Sequence, residues 1–435
     1  MDYKLIEINE QFGYKNPRCL EGEISNYTIV LKKQAYSKEF TQKWAKKSLC
    51  YQIHYDEKVE KHKFEASYFV GVDWIIENKL PIYIQPKLNN EKSEINFIAM
   101  LFEALQEPEN FNHIDYLYEI NFDKPAIKIK QRQDLLSPLL VVQYLQLLRR
   151  IVQKGLKKSY YPVVKNLNSK VKGKILVNDT IKHNHSKNKI LYSYCKYDEF
   201  GINSIENKVL KKALIFSQKA IQNIEGINTE QLHGLYNYIQ PAFHSVDNDI
   251  EIEELKSVKP TPLFKEYELA LKLAKFILKR FGYNISSVNA SIIETPPFWI
   301  DMSKLFELYI YSKLRQLFPN KGEVIYHKKY NYLEPDFIVN SPINNYKIVV
   351  DAKYKPQYEN NNISTEDIRQ VSGYARLRSI YTELGMNENE IIDCLIVYSQ
   401  QSLKECILDS NLKSLPDKHY AGFYKKGIRL PEICK

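Results

Sequence analysis

The chain has 435 residues, of which 44% are hydrophobic and 26% charged, a composition that is ordinary for folded proteins and long enough for two or three domains. Its net charge of +10 suits a polyanionic partner such as nucleic acid, although charge alone is a weak indication. The sequence contains no CxxC pair, no signal-peptide pattern at its start and no apolar run of about 18 residues. We therefore expect a cytoplasmic protein with reduced thiols and no membrane contact.

The first part of the chain, residues 1–125, has the pattern of short strands. Residues 68–74 and 80–87 are rich in β-branched and aromatic side chains and are punctuated by Gly and Pro. In the second of these segments Ile82 and Ile84 share one face, which is the period of a half-buried strand. This pattern predicts a β-rich N-terminal domain.

The middle of the chain, residues 126–289, has the pattern of helices. Ser137 and Pro138 are typical of a helix start, and an apolar stretch follows over residues 139–152. Apolar residues also recur at helical spacing over residues 204–224 and 262–281. We predict a helical middle region.

The last part, residues 290–435, alternates between helices and strands. The expected elements are an amphipathic helix, three strands, a second helix and an apolar strand, over residues 302–318, 323–330, 333–339, 346–354, 366–381 and 391–398. This order predicts a C-terminal α/β domain, and the whole chain is expected to be an α+β multidomain protein.

Three charged residues in this last part predict a site of phosphodiester chemistry. Asp336 follows Pro335 within one expected strand, and Asp351 and Lys353 end the next one. Residues i and i+2 of a strand share a face, and a short turn joins the two strands, so we expect all three side chains together. Two carboxylates can hold a hard cation such as Mg²⁺, which activates water and stabilises charge on a phosphate. The lysine can orient that water or neutralise the developing charge.

Three further residues occur in matching positions on the flanking helices. Gln370 and Tyr374 are one helical turn apart and can support Lys353 or bind a phosphate. Glu307 lies on the preceding helix and can reach the metal from the side. Taken singly, Glu307 is better explained as a solvated helix carboxylate. Asp336 can be a turn-forming residue, Asp351 and Lys353 can be a surface ion pair, and Gln370 and Tyr374 can simply pack and cap. The joint occurrence of these residues in this order favours a nuclease.

This order of residues resembles the PD-(D/E)XK nuclease superfamily. More narrowly, the chain resembles the McrC family, the nuclease subunit of McrBC-type GTP-dependent restriction systems. Several segments carry the narrower resemblance: Tyr68-Phe-Val-Gly-Val72, Ile82-Tyr-Ile-Gln-Pro-Lys87, Val171-Lys-Gly-Lys-Ile175, Tyr197-Asp-Glu-Phe200, Asn207-Lys-Val-Leu-Lys-Lys-Ala-Leu214 and Ile300-Asp-Met-Ser-Lys-Leu-Phe-Glu307.

The resemblance implies a restriction-endonuclease-like C-terminal domain that cleaves double-stranded DNA in phage defence. It implies Mg²⁺, with Mn²⁺ as a substitute, held by Asp336, Asp351 and Glu307. It also implies a McrB-like AAA+ GTPase hexamer as partner, with residues 1–125 as the docking domain. The sequence has no GxxxxGK[ST] phosphate loop, so GTP is expected to act only through the partner.

Two other functions remain open at this point. The first is a non-catalytic adaptor that stimulates the partner GTPase and grips DNA. The second is a stand-alone DNA repair nuclease. A metal-binding measurement would separate the nuclease from the adaptor, and a neighbouring gene for a GTPase would favour restriction over repair.

Overall fold

A computed structural model describes residues 5–20, 34–41, 46–90, 92–114, 116–121, 123–129, 136–222, 232–248, 265–284, 293–330, 333–355, 364–403, 408–414 and 416–434. The chain divides into two compact units. Unit 1 contains Met1–Arg132 together with Ser291–Lys435, and unit 2 contains Gln133–Ala290. Among the described residues, no helix is both long and apolar enough to cross a bilayer.

The described residues before position 130 form short strands and one helix. They are β1 (Ile6–Asn9), β2 (Arg18–Cys19), β3 (Tyr36–Thr41), β4 (Lys47–Asp56), β5 (Lys61–Ala66), β6 (Phe69–Ile76), β7 (Leu80–Gln85), β8 (Ser93–Ile95), α1 (Phe97–Ala104), β9 (Tyr118–Ile120) and β10 (Ile127–Ile129). Strands β6 and β7 occur where the β-branched segments predicted strands. They form an antiparallel pair that is buried on both faces: Ile82 and Ile84 lie on one face and Val72 on the other, and all three are 0% exposed.

Unit 2 combines helices with an antiparallel hairpin. Its elements are α2 (Leu136–Lys154), β11 (Ser159–Asn168), β12 (Lys174–Ile175), α3 (Val177–His183), β13 (Tyr192–Gly201), α4 (Ile205–Gln222), α5 (His233–Ile239) and α6 (Lys265–Asn284). Strands β11 and β13 pair along their whole length, from Ser159–Gly201 to Asn168–Tyr192. The prediction of a helical middle region therefore missed the β-hairpin of residues 159–168 and 192–201. This hairpin buries little of either face, so its sequence lacks the strong alternation of buried strands.

The remaining residues of unit 1 build the region that carries the candidate site. The elements are β14 (Ile293–Thr295), β15 (Phe298–Asp301), α7 (Met302–Leu317), β16 (Val324–Tyr326), β17 (Phe337–Ser341), β18 (Tyr346–Lys353), α8 (Thr365–Tyr374), α9 (Arg378–Leu384), β19 (Asp393–Ser399), β20 (Phe423–Ile428) and β21 (Glu432–Cys434). The single helix expected over residues 366–381 is instead two helices. Leu377 adopts an extended backbone between them, with φ −74° and ψ 125°. This break lets Ile380 pack in the same core cluster as Val371 of α8.

Five strands form the sheet below the site, in the order β16-β17-β18-β19-β20, which we call the C-terminal sheet. Strands β16, β17 and β18 are antiparallel, whereas β18, β19 and β20 are parallel. The apolar residues Ile348, Val349 and Val350 place β18 at the buried centre. Asp351 follows directly, where the apolar run of the strand ends.

A second five-stranded sheet, β1-β7-β6-β15-β9, joins the two segments of unit 1; we call it the N-terminal sheet. Strand β15 pairs with β6 and β9 and leads directly into α7. Gly71 permits the close approach, because a Cβ atom there would lie 2.1 Å from the Phe298 carbonyl oxygen. Within the sheet, Trp299 Nε1 donates to Asp73 Oδ2 at 3.2 Å. The two segments that the sequence assigned to separate N- and C-terminal domains therefore contribute strands to one sheet. The separate functions expected for residues 1–125, 126–289 and 290–435 stay predictions.

Candidate active site

The two aspartates lie side by side at the ends of neighbouring strands. Asp336 directly precedes β17 rather than lying inside a strand as expected, because the strand begins at Phe337. Phe337 pairs with Val350 in the antiparallel ladder, which places Asp336 next to the end of β18. The Ala352 amide donates to Asp336 Oδ2 at 2.8 Å. The structure therefore brings Asp336 beside the Asp351-Ala-Lys353 segment.

Asp351 and Lys353 form an ion pair that is removed from the surface. Lys353 Nζ lies 2.7 Å from Asp351 Oδ2, and the Asp351 side chain is 0% exposed. Burial raises the pKa of Asp351, and the Lys353 ammonium offsets only part of this effect. The pKa of Lys353 is also raised, because the nearby carboxylates outweigh its burial. A surface ion pair, the simpler interpretation of the sequence, does not describe this contact.

Gln370 and Tyr374 extend the ion pair into a hydrogen-bonded chain. Lys353 Nζ donates to Gln370 Oε1 at 3.0 Å, and Gln370 Nε2 donates to the Tyr374 hydroxyl at 2.9 Å. Their placement on consecutive turns of α8 puts both side chains on the face toward Lys353. The structure thus places Gln370 in contact with Lys353 and links Tyr374 to the ion pair through Gln370.

Glu307 contacts a histidine that the sequence did not single out. The Glu307 Oε2 atom lies 3.0 Å from His327 Nε2, and Glu334 Oε1 lies 3.1 Å from His327 Nδ1. The two carboxylates raise the pKa of His327 despite its burial. Ligand atoms of Glu307, His327 and Asp336 all lie within 4.8 Å of one another. Glu307 is therefore part of the cluster and is not a solvated helix carboxylate.

His327 lies directly after β16, and its amide donates to the Asp336 carbonyl at 3.0 Å. Its backbone is left-handed, with φ +47°, a conformation that is uncommon for residues other than Gly and clusters at functional sites. The sequence gives one indication of its role: His327 directly follows β16, and β17, the antiparallel neighbour of β16, begins directly after Asp336. That signal has meaning only once the pairing of β16 and β17 is known.

The chemistry of this donor set fits a divalent cation. Burial, Asp351 and Glu307 raise the pKa of Asp336 well above its usual range. Among the residues that the structure describes, Lys353 is the only donor to the Asp351 carboxylate, at 2.7 Å from Oδ2, and Oδ1 receives no hydrogen bond. Buried carboxylates in this state carry a desolvation cost that a cation would offset. Carboxylates suit both Mg²⁺ and Mn²⁺.

A cavity of about 740 Å³ opens beside Glu307 and His327; we call it the cleft. Its lining includes the lysines Lys46, Lys304 and Lys329 and the exposed ring of Tyr116. Lys304 and Glu307 are one turn apart on α7, so a cation and a carboxylate occupy the same wall. Cationic side chains with exposed aromatic rings are the combination that binds phosphates and stacks on bases. Residues from both segments of unit 1 therefore line one space next to the carboxylates.

One family model matches most of the chain. The model of the family described as McrBC 5-methylcytosine restriction system component matches residues 65–384. No curated protein matches the chain. Similar solved structures include a half-complex from the tetradecameric assembly of Thermococcus gammatolerans McrB AAA+ hexamers with bound McrC, at 15% identity, covering 98% of this chain and 94% of that chain with a TM-score of 0.35. The cryo-EM structure of the Thermococcus gammatolerans McrBC complex is similar at 15% identity, over 75% of this chain and 89% of that chain, with a TM-score of 0.28.

Proposed function

The chain belongs to the family of McrBC 5-methylcytosine restriction system components, and on that premise we propose that it is the nuclease subunit of such a system. It hydrolyses phosphodiester bonds of double-stranded DNA with Mg²⁺ or Mn²⁺ when a McrB-like AAA+ GTPase activates it, and it stimulates that GTPase in return. The observation that carries the proposal is the buried Asp351–Lys353 ion pair beside Asp336. An ordinary structural role does not need three charged groups at one partly desolvated point.

In this proposal each side chain has a separate task. Asp336 and Glu307 would hold the cation together with His327, because ligand atoms of these three residues lie within 4.8 Å of one another. Asp351, which lies beside Asp336 at the end of the neighbouring strand, would complete the set. The bound cation lowers the pKa of a water molecule and stabilises charge on the phosphate. Lys353 stays protonated, because the neighbouring carboxylates raise its pKa, so it donates to a phosphate oxygen or to the attacking water. Gln370 and Tyr374 hold the lysine in that direction.

The cleft supports DNA as the substrate. Lys46, Lys304 and Lys329 line it, and phosphate contacts from lysines supply most of the sequence-independent affinity of DNA-binding proteins. The net charge of +10 acts in the same direction over longer distances. We propose that the strand to be cut passes through the cleft toward Glu307.

The exposed apolar side chains of unit 2 support a protein partner. We call residues 159–201 the arm; it consists of β11, β13 and the chain between them. Half of the 18 large hydrophobic side chains that are exposed in the described residues lie on the arm, among them Tyr160 at 74%, Ile190 at 73% and Leu191 at 68%. Contiguous exposed apolar surface is typical of interaction sites. McrC is bound to McrB AAA+ hexamers in the Thermococcus gammatolerans assembly, and we propose that the arm docks on a hexamer of that kind.

This assignment differs from the docking domain expected over residues 1–125. In the described part of that region, the exposed large hydrophobics are Tyr14, Val59 and Tyr116, which are far apart in sequence. Tyr116 also lines the cleft. We therefore assign partner docking to the arm, and GTP hydrolysis to the partner, because this chain has no phosphate loop.

The decisive experiment compares Asp351→Ala with wild type in the complex with the cognate GTPase. We expect DNA cleavage to fall by about a thousandfold, because the loss of a cation ligand removes several kcal/mol of transition-state stabilisation. GTPase stimulation should be unchanged. Glu388→Ala, at a carboxylate that is 61% exposed in unit 1, is the matched control. Cleavage by Asp351→Ala at the wild-type rate would contradict the proposal.

Calorimetry with Mg²⁺ or Mn²⁺ separates the nuclease from the adaptor. It should use the full chain, because α7 continues from a strand that pairs within the N-terminal sheet. No cation binding would favour the adaptor. A stand-alone repair nuclease would cleave DNA at full rate without any GTPase partner.

A further inference from the structure

The motif Ile82-Tyr-Ile-Gln-Pro-Lys87 ends in a lysine whose position the nuclease chemistry does not explain. Lys87 follows β7, and its Nζ atom donates to the Tyr354 carbonyl oxygen at 2.7 Å. The same ammonium lies 3.9 Å from the centroid of the Tyr354 ring. Tyr354 is the residue directly after Lys353. A side chain from the N-terminal sheet therefore holds both the backbone and the ring at the end of the Asp351-Ala-Lys353 segment.

A buried carboxylate holds this lysine from the other side. Glu10 follows β1, which runs parallel to β7, and Glu10 Oε1 accepts a hydrogen bond from the Lys87 amide at 3.1 Å. Glu10 is 2% exposed. Burial lowers the pKa of Lys87 and raises the pKa of Glu10, and the attraction between the two charges opposes both changes. A buried carboxylate and a partly buried lysine are thus kept together, where apolar side chains of similar size would cost less.

Tyr354 and the residue after it contact elements on both sides of the candidate active site. The Tyr354 ring centroid lies 5.8 Å from that of Phe306, the residue before Glu307 on α7. The next residue, Lys355, donates to Asp367 Oδ2 at 2.8 Å and so reaches α8, which carries Gln370. Displacement of Tyr354 would move the elements that carry Lys353, Glu307 and Gln370.

We propose that Lys87 is a positioning residue of the nuclease: together with Glu10, it fixes Tyr354 and so sets the position of Asp351 and Lys353. This inference rests on the proposed nuclease function. It makes the end of the N-terminal sheet part of the active-site framework, although Lys87 itself touches no reacting atom. Misplacement of catalytic groups by about 1 Å is enough to cost two orders of magnitude in rate.

The test compares Lys87→Met, Lys87→Arg, Lys58→Met and Asp351→Ala in the full chain with its GTPase partner. For Lys87→Met we expect kcat for DNA cleavage to fall by about 10- to 100-fold. The KM for DNA and GTPase stimulation should stay at wild-type values. The Mn²⁺ affinity, measured by electron paramagnetic resonance, should fall several-fold. Arginine can donate to the carbonyl and stack on the ring, so Lys87→Arg should recover most of the activity. Lys58→Met removes an exposed charge from the N-terminal part of unit 1, between β4 and β5, and should resemble wild type.

The outcomes separate the two proposals. If Asp351→Ala is inactive and Lys87→Met cleaves like Lys58→Met, the positioning role is wrong and the nuclease stands. If Asp351→Ala cleaves normally, the nuclease proposal fails, and unchanged Mn²⁺ affinity in Lys87→Met then also overturns the positioning role. A parallel loss of kcat, GTPase stimulation and thermal stability would overturn the positioning role in favour of a general structural role.

If Lys87→Met does not fold, Glu10→Gln replaces that variant, because glutamine keeps the acceptor for the Lys87 amide. Glu10→Gln should lose kcat by a smaller factor at constant KM, and wild-type kcat would contradict the proposal.

Discussion

Unit 1 and unit 2 depart from the usual distribution of residues in opposite ways. Around β18, unit 1 places charged groups inside, and Asp351 is 0% exposed. On the arm, unit 2 places apolar groups outside, with Tyr160 at 74% exposure. Buried charges and exposed apolar patches are the two departures from ordinary packing that carry information about function. One unit has the features of a chemical site, and the other has those of a docking surface.

The largest effects on stability and on DNA cleavage are expected when Lys353 of the buried ion pair is replaced. Lys353→Met leaves Asp351 buried without its counter-charge, and such changes cost about 3–5 kcal/mol of unfolding free energy. DNA cleavage should fall by about a thousandfold, because the donor to the phosphate or water is lost. Chemical denaturation and a cleavage assay measure the two effects.

The double variant Lys353→Met with Asp351→Asn is the control for that stability loss. It removes both charges, so it should regain much of the unfolding free energy while cleavage stays abolished. If Lys353→Met were as stable as wild type, the pair would have to be exposed to solvent in solution. In that case unit 1 would no longer contrast with unit 2.

The second effect concerns the arm and should leave the active site untouched. Tyr160 and Phe200 face each other across β11 and β13, with ring centroids 5.1 Å apart. Replacing both with Ser should weaken binding of the GTPase partner by about tenfold to a hundredfold, since the loss of an aromatic contact in an interface costs about 1 kcal/mol for each residue. Mn²⁺ affinity and thermal stability should not change. Partner affinity can be measured by surface plasmon resonance.

Ile343→Ser is the control for the arm, because Ile343 is 81% exposed in unit 1. It should bind the partner as wild type does. Equal losses in the two variants would mean that exposed apolar area in general, and not the arm, determines docking. If the variant with both Tyr160 and Phe200 replaced bound the partner like wild type, the docking surface expected over residues 1–125 would be favoured instead.

The same contrast explains what the sequence predicted well and what it missed. The proximity of Asp336, Asp351 and Lys353 follows from local rules, namely i and i+2 on one strand and a short turn to its neighbour. His327 was missed because its partners Glu307 and Glu334 are 20 and 7 residues away and lie on different elements. The pairing of β15 with β6 was missed because it joins Trp299 to Gly71 across most of the chain. The arm was missed because an exposed hairpin lacks the apolar alternation that marks a buried strand.

A third prediction concerns pH and tests the charges inside unit 1. The pKa values of Asp336 and Asp351 are raised, so the folded protein without cation holds protons that the unfolded chain has released. Its stability should therefore decrease as the pH rises from the usual carboxylate range through the raised pKa values. Cation binding must displace these protons, so affinity should increase over the same pH range. Calorimetry in buffers of different ionisation enthalpy should detect proton release. Cation affinity that is independent of pH would show that the carboxylates are already ionised.

The smallest expected effect belongs to the lysines of the cleft, because Lys46 and Lys329 are exposed whereas Asp351 of the ion pair is fully buried. Lys329→Ala should lower DNA affinity by a factor of about two to five and reduce the slope of log affinity against log salt by about one. The kcat at saturating DNA should stay near wild type, because Lys329 forms no ion pair with the proposed cation ligands Asp336, Asp351 and Glu307 in the described part of the chain. Lys418→Ala, at an exposed lysine outside the cleft, is the matched control. Fluorescence anisotropy with a short duplex over a salt series provides the measurement. A change in kcat without a change in salt slope would place Lys329 in the catalytic cluster and would remove the cleft as the path of the strand.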